Sequence, residues 1–287
     1  MMMKRLLTIQ DISCFGKCSL TAALPVISAM GVETAVIPTA VLSTHTGSGF
    51  SGYTFRDLTD DIAGITAHWK KLGLHFDTIY TGYLGSVEQV DVIKRLIADF
   101  RTEDTLVVVD PVMGDGGRMY AGFDNRFITA MRSLCAVADC ILPNATETAL
   151  LLGENYRNDL KLEEIQDRLR SLTALGSRMA IMTGASPDKQ RNGAMAYIAS
   201  EKRFVTSFGK NISGSYHSTG DIFSSVFSGG MTLGMDVQKA LDLAVNFTRQ
   251  CVENTLPVRE DHWYSVRFEP CLGYLADECR KFTEEQS

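Results

Sequence analysis

The tetrapeptide Ser218-Thr219-Gly220-Asp221, at the mouth of the apolar run IFSSVFSGG, brings two hydroxyls, a glycine and a carboxylate within one turn. Gly220 permits close backbone approach. A helix opening here would offer unpaired N–H groups, and the positive end of its dipole, to an anion. An aspartate at such a point is commonly an N-cap. The same carboxylate could take a proton from an alcohol while a transferring phosphoryl group gathers charge on the N–H groups.

Other polar residues directly follow apolar runs: Gln10 and Asp11, Ser43 to Gly49 (STHTGSG), Gly82 to Ser86 (GYLGS), Asp110 to Gly117 (DPVMGDGG), Asn144 to Glu147, and Thr183 with Gly184. Asp110, Asp115, Asn144 and Glu147 are oxygen donors of the kind Mg²⁺ prefers in phosphoryl transfer, with direct and water-mediated ligation both open. Taken singly, each has a plainer role. Asp110 before Pro111 can start a turn, Asp115 can brace its glycine loop, and Asn144 with Glu147 can open a helix. Jointly, with the STGD helix start, they point to a phosphate site. The sequence contains no G-x-x-x-x-G-K-[ST], which disfavours a P-loop fold.

These residues need a scaffold, and the chain supplies a regular one. RLLTIQ, TAVIPTAVL, FDTIYTG, TLVVVDP, DCILPN and RMAIMT read as strands separated by helical segments at 18–30, 56–72, 87–100, 125–137 and 162–175. Strands alternating with helices predict a three-layer α/β fold, a mostly parallel central sheet flanked by helices, with ligands beyond the carboxyl ends of the strands. AMAYIAS and KRFVTSF predict an antiparallel edge. Helices at 221–233, 237–254 and 264–282 close the chain, and no linker or composition shift divides residues 1–287, so a single domain is expected.

Of the 287 residues 45% are hydrophobic and 22% charged, which suits a folded chain, and the net charge of −6 argues against a broad nucleic-acid surface. The longest uncharged apolar stretch, around residues 22–32, is interrupted by Pro25 and Gly31 and is too short for a membrane span. Residues 1–7 lack the apolar core and cleavage site of a secretory signal, so a cytoplasmic location is expected. Seven cysteines without C-x₂-C spacing read as free structural thiols; Cys14 and Cys18, flanking a glycine turn, would be reactive only if that turn lined a cleft.

IQD near the start, STHTGSG, TGYLGS, DPVMGDGGRMY, PNATET and STGD, in that order across residues 5–230, resemble the pyridoxal kinases of the ribokinase superfamily. The resemblance implies ATP-dependent phosphorylation of the 5′-hydroxymethyl group of vitamin B6 compounds, in a homodimer. It implies Asp221 as general base and Ser218, Thr219 and Gly220 as the anion hole. Asp115, Tyr120, Asn144, Glu147 and Thr183 would surround the nucleotide phosphates and Mg²⁺, with Asp110 beside a K⁺ or Na⁺ site. His45, Thr46 and Tyr83 match the B6 pocket, where Asp11 occupies a ring-contacting position, and the STHTGSGFSG segment would cover it to exclude water. A core histidine and a packed tyrosine are the plainer readings of His45 and Tyr83.

Two positions depart from the pattern. Ser218 stands where the anion hole normally begins with glycine, and Asp11 where serine usually follows IQ. Asp11 would favour a protonated pyridine nitrogen or an amine-bearing acceptor. Rival readings are a hydroxymethylpyrimidine kinase, a sugar or nucleoside kinase, and a non-catalytic B6- or nucleotide-binding protein.

Overall fold

The computed structural model describes residues 3–47, 49–188 and 190–286; Ser48 of the STHTGSG segment lies outside them. Strand β1 (Arg5–Ser13), helix α1 (Leu20–Ala29) and β2 (Glu33–Leu42) open the chain, followed by β3 (Phe55–Asp57), α2 (Thr59–Lys71), β4 (Thr78–Thr81), α3 (Val87–Phe100) and β5 (Leu106–Val109). A small hairpin, β6 (Gly114–Asp115) and β7 (Arg118–Met119), precedes α4 (Asn125–Cys135), β8 (Cys140–Ile141), α5 (Ala145–Leu152) and α6 (Leu162–Thr173). Next come β9 (Met179–Asp188), β10 (Arg191–Ile198), β11 (Arg203–Lys210), α7 (Thr219–Thr232), α8 (Val237–Thr255) and α9 (Leu272–Glu285).

The main sheet runs β11-β10-β9-β8-β5-β4-β1-β2-β3. The strands from β2 to β9 in that order pair in parallel, whereas β10, β11 and β3 are antiparallel additions. Because β2 leaves β1 on one side and β4 on the other, the chain reverses its direction of winding at β1, where open α/β sheets form ligand crevices.

Two-residue alternation explains the layers. Leu6, Tyr80 and Val108 enter one core with α1, α7, α8 and α9. Leu7, Ile79, Val107 and Val109 enter the other with α2 to α6. Each fully buried Leu, Ile or Phe contributes about 1.5–3 kcal/mol of transfer free energy, so both faces hold the strand ends firmly in place.

Two expectations need correction. The helix predicted from Arg56 begins at Thr59, since Phe55–Asp57 pair with β2 and the Asp57 carboxylate accepts the Thr59 N–H at 2.7 Å, closing a turn. The helix predicted over 264–282 forms only from Leu272: Pro270 sits in a 3₁₀ turn, and a proline inside a helix removes a donor and clashes with the preceding turn. Helix α5 was signalled only as a possible start at Asn144 and Glu147, and it is there. All seven cysteines are free, and no helix among the described residues is long and apolar enough to cross a membrane.

Candidate active site

A cavity of about 610 Å³ lies beyond the carboxyl ends of β1, β4, β5, β8 and β9. Every residue singled out above for catalysis, substrate, nucleotide or metal lines it.

Helix α7 supplies the centre. Its N-cap is Ser218, not Asp221, in a left-handed conformation (φ 70°, ψ 0°) and without a side-chain cap bond. The first helical bond runs from Ile222 N–H to Ser218 C=O at 3.0 Å, so the N–H groups of Thr219, Gly220 and Asp221 have no partner within the helix. A Cβ placed on Gly220 would meet nothing within 4 Å. Ligand can therefore approach that backbone directly. Burial pushes the Asp221 carboxyl up to about 7, the charge on Asp11 adds to this, and the Ser19 N–H and Cys18 thiol pull it down. Solvent still reaches the residue through the cavity, which tempers the shift.

On one side lies the end of β1. Pro38 of β2 faces Gln10, and the β1–β2 register slips just beyond, between Gln10 and Ile12. A proline cannot donate to the ladder, and such slips re-aim side chains. Asp11 sits at this irregularity, 4% exposed, its Oδ2 accepting the Ser13 hydroxyl at 2.9 Å. Desolvation raises its pKa. Tyr83 stands nearby, its hydroxyl pushed up to about 12 by burial and by Asp11. A Cβ on the preceding Gly82 would collide with Gln10 at 2.7 Å. Thr46 is exposed at the cavity wall.

His45 also lines the cavity, but its ring nitrogens are spent within the protein. Nδ1 accepts the Gly47 N–H at 2.9 Å, which leaves Nε2 as the protonated nitrogen, donating to the Tyr264 carbonyl at 2.8 Å. Burial lowers its pKa, which favours this neutral tautomer. His45 therefore ties the segment around residues 44–47 to the connection between α8 and α9. The ring of Phe50 packs against Trp263 (4.8 Å between centroids) and Phe15 against Tyr264 (4.7 Å) along the same seam.

On the other side, β5 ends in Asp110, whose Oδ2 accepts the Ser224 hydroxyl at 2.8 Å. Glu147 and Asn144 form a reciprocal cap: Asn144 Oδ1 accepts the Glu147 N–H at 2.9 Å, and Glu147 Oε2 accepts the Asn144 N–H at 2.8 Å. Glu147 Oε1 also accepts the Met113 N–H at 3.1 Å, and Asn144 Nδ2 donates to the Gly114 carbonyl at 2.9 Å, fixing the β6–β7 hairpin that carries Asp115. Burial pushes Glu147 well above the usual carboxylate range, with the Asp110 charge adding to it, and burial raises Asp110 too. The Tyr120 hydroxyl is raised by burial and by Glu147 and Asp115. Thr183 lies on β9, where Gly184 (φ 66°) is the extra residue of a bulge opposite Gly193 and Ala194.

Among the described residues no three carboxylate, imidazole or thiol groups converge as the ligands of one cation, so Asp110, Asp115 and Glu147 are not a preformed cage. The donors nevertheless fit Mg²⁺. Asp110 and Glu147 are 7% and 3% exposed, neither pairs with a basic side chain among the described residues, and Mg²⁺ binds through one or two carboxylates, waters and substrate phosphates.

Several cavity residues escaped the sequence reading. Val245, Thr248, Arg249 and Val252 form one stripe of α8, opposite Gly193, Gly209 and Ile212 at the ends of β10 and β11. The Thr248 hydroxyl is buried without a partner. The three-and-four spacing on α8 was a visible signal, but it reads equally as core. Cys18 was noted only as a thiol flanking a turn, and Ser19 was placed inside a helix over 18–30 that in fact begins at Leu20.

The profile of the phosphomethylpyrimidine kinase family matches residues 11–265, and the chain belongs to that family, within the ribokinase-like superfamily. Among solved structures, a Bacteroides thetaiotaomicron protein assigned as a phosphomethylpyrimidine kinase and crystallised with pyridoxal is 38% identical, with a TM-score of 0.90 over 95% of this chain and 96% of that one. The pyridoxal kinase of Lactobacillus plantarum is 33% identical, with a TM-score of 0.86 over 95% and 96% of the two chains. A pyridoxine/pyridoxal/pyridoxamine kinase of Bordetella avium is 25% identical over 86% of this chain and 84% of its own.

Proposed function

We propose that this chain transfers the γ-phosphoryl group of ATP to the 5′-hydroxymethyl group of a vitamin B6 vitamer: pyridoxal, pyridoxine or pyridoxamine. The observation that carries this reading is the first turn of α7, where a carboxylate of raised pKa shares three residues with unpaired N–H groups and an unobstructed glycine. The pyridoxal in the crystals of the 38%-identical Bacteroides protein supports the acceptor.

Asp221 takes the hydroxyl proton as the alcohol oxygen attacks the γ-phosphorus. The new O–P bond forms as the bond from the γ-phosphorus to the β,γ-bridging oxygen breaks, and ADP leaves with that electron pair. The turn from Ser218 through Thr219 and Gly220 takes up charge on the transferring group. Asp11, Thr46 and Tyr83 hold the ring, and His45 holds the segment that covers it. Asp115, Tyr120, Asn144, Glu147, Thr183 and Thr219 surround the phosphates.

Asp110, Asp115 and Glu147 would hold Mg²⁺, directly or through water, and the ion would neutralise phosphate charge; Asp110 also suits an adjoining K⁺ or Na⁺. The enzyme would work in the cytoplasm as a homodimer of single-domain subunits. The test is ADP release from purified protein with Mg-ATP and, in parallel, each B6 vitamer, hydroxymethylpyrimidine and ribose, with products weighed by mass spectrometry. Turnover of hydroxymethylpyrimidine alone moves the acceptor to that pyrimidine, and binding without turnover of any acceptor removes the catalytic reading.

A further inference from the structure

Strained backbone gathers around Asp221. Four non-glycine residues among those described have positive φ, and three of them, Lys17 (54°), Ser19 (54°) and Ser218 (70°), lie in the turn after β1 and at the N-cap of α7. Gly16, at 105°, belongs to the same turn. Such conformations persist where the surroundings over-determine them, and they cluster at functional sites.

The clamp around this turn is complete. Gly16 lies so close to the His45 ring that a Cβ there would reach it at 2.4 Å. The Lys17 ammonium pairs with Glu269 at 2.8 Å. Ser19 bridges to Ile12, and its carbonyl accepts the Ala22 and Ala23 N–H groups at 3.0 and 2.8 Å, which seats the turn on α1. Between these anchors Cys18 Sγ meets Ser218 Oγ at 2.9 Å, and the two residues adjoin the cavity.

This contact explains how a residue with a side chain occupies a left-handed position where the resemblance implies glycine. The Ser218 hydroxyl is held by the thiol. Burial and the neighbouring carboxylates keep Cys18 a thiol, so it retains a proton to share with Ser218 and Asp221.

We propose that Cys18 is a positioning residue for phosphoryl transfer: its thiol fixes Ser218 and with it the entry to α7. The strained turn thereby sets the base and the anion-binding N–H groups in register with each other. This rests on the proposed roles of Asp221 and of the first turn of α7.

The experiment measures kcat, KM for ATP, KM for the alcohol and melting temperature for wild type, Cys18→Ala, Cys18→Ser and Cys18→Ala in a Ser218→Gly background. Misplacement of reacting groups by about 1 Å can cost about 100-fold in rate, and for the smaller shift expected here Cys18→Ala should lose about tenfold or more in kcat. KM for ATP and the melting temperature should stay near wild type. Cys18→Ser should recover most of the loss, and the cost of Cys18→Ala should shrink when residue 218 is glycine, because no side chain then needs holding.

Wild-type kcat in Cys18→Ala overturns the proposal, as does a loss that tracks the melting temperature and is not rescued by serine. Absence of turnover in the wild-type protein with every alcohol tried defeats the functional reading itself, which separates the two failures.

Discussion

His45 Nε2 lies 2.8 Å from the Tyr264 carbonyl, a bond that joins the segment after β2 to the connection between α8 and α9 across some 219 residues of chain. The bond needs neutral imidazole with its proton on Nε2, because Nδ1 is already accepting from Gly47.

The first prediction follows from that tautomer. Burial holds the His45 pKa below its ordinary 6.5, with His217 adding to the effect. For a histidine whose folded pKa is depressed, the unfolded chain binds the proton more readily, so its contribution is present above the ordinary value and is lost as pH falls through the folded one. His45→Phe should raise KM for the alcohol and leave kcat and KM for ATP largely intact. In wild type, KM for the alcohol should begin to climb as the pH drops below His45's depressed pKa, and that climb should be missing from the variant. A wild-type and mutant pair with the same pH dependence of KM would remove the latch.

Asp221→Asn removes the proposed base and with it a carboxylate of raised pKa. Turnover should fall by about 10²-fold or more, with nucleotide binding by calorimetry retained. Stability should move the other way. The folded pKa, about 7, lies above the ordinary 3.8, so ionisation costs stability increasingly as pH rises between those values, and below 3.8 the cost vanishes. The variant should therefore melt higher than wild type at pH 8, with the gap closing towards pH 4. Near-normal turnover would exclude Asp221 as the base.

Asp11→Ser tests acceptor choice. The buried Asp11 carboxylate accepts from Ser13 and lines the cavity beside Tyr83, where the proposed function places the ring. Removing its charge should lower kcat/KM for pyridoxamine relative to pyridoxal by about tenfold, the scale of one charge-assisted hydrogen bond. An unchanged ranking of vitamers would assign Asp11 to the fold alone.

Gly82→Ala is a stability prediction. The new methyl would approach the Gln10 side chain at 2.7 Å, and that side chain is itself fixed by its 2.8 Å bond to the Thr8 hydroxyl. Overpacking of this kind costs about 1–3 kcal/mol, readable as a lower denaturation midpoint with an unchanged slope. A midpoint equal to wild type would mean that Gln10 yields.

Much of this architecture was legible because β1, β4, β5, β8 and the first half of β9 are largely buried and rich in apolar residues, and such runs stand out between amphipathic helices. Site residues such as Asp110 and Asn144 were legible for the same reason, each being the first polar group after a buried strand. Phe55–Asp57 were not, because a three-residue exposed edge strand carries no burial pattern. Nor was the anchoring of His45, which depends on a carbonyl far away in sequence. The α8 wall was hidden by ambiguity: Val245 and Val252 look like core, and only the placement of β10 and β11 opposite them opens a cavity there.

The reversal of winding at β1 divides the cavity by chain order. Asp11, His45, Thr46 and Tyr83, from the early loops, line one part of the cavity, Asp110, Asp115, Asn144 and Glu147 with α8 line another, and the start of α7 lines it too; in the proposed function these are the alcohol and nucleotide ends. Substitutions in the early loops can thus alter which ring is accepted without disturbing the phosphate machinery. In the proposed function, acceptor preference is in this sense a module separable from the transfer apparatus.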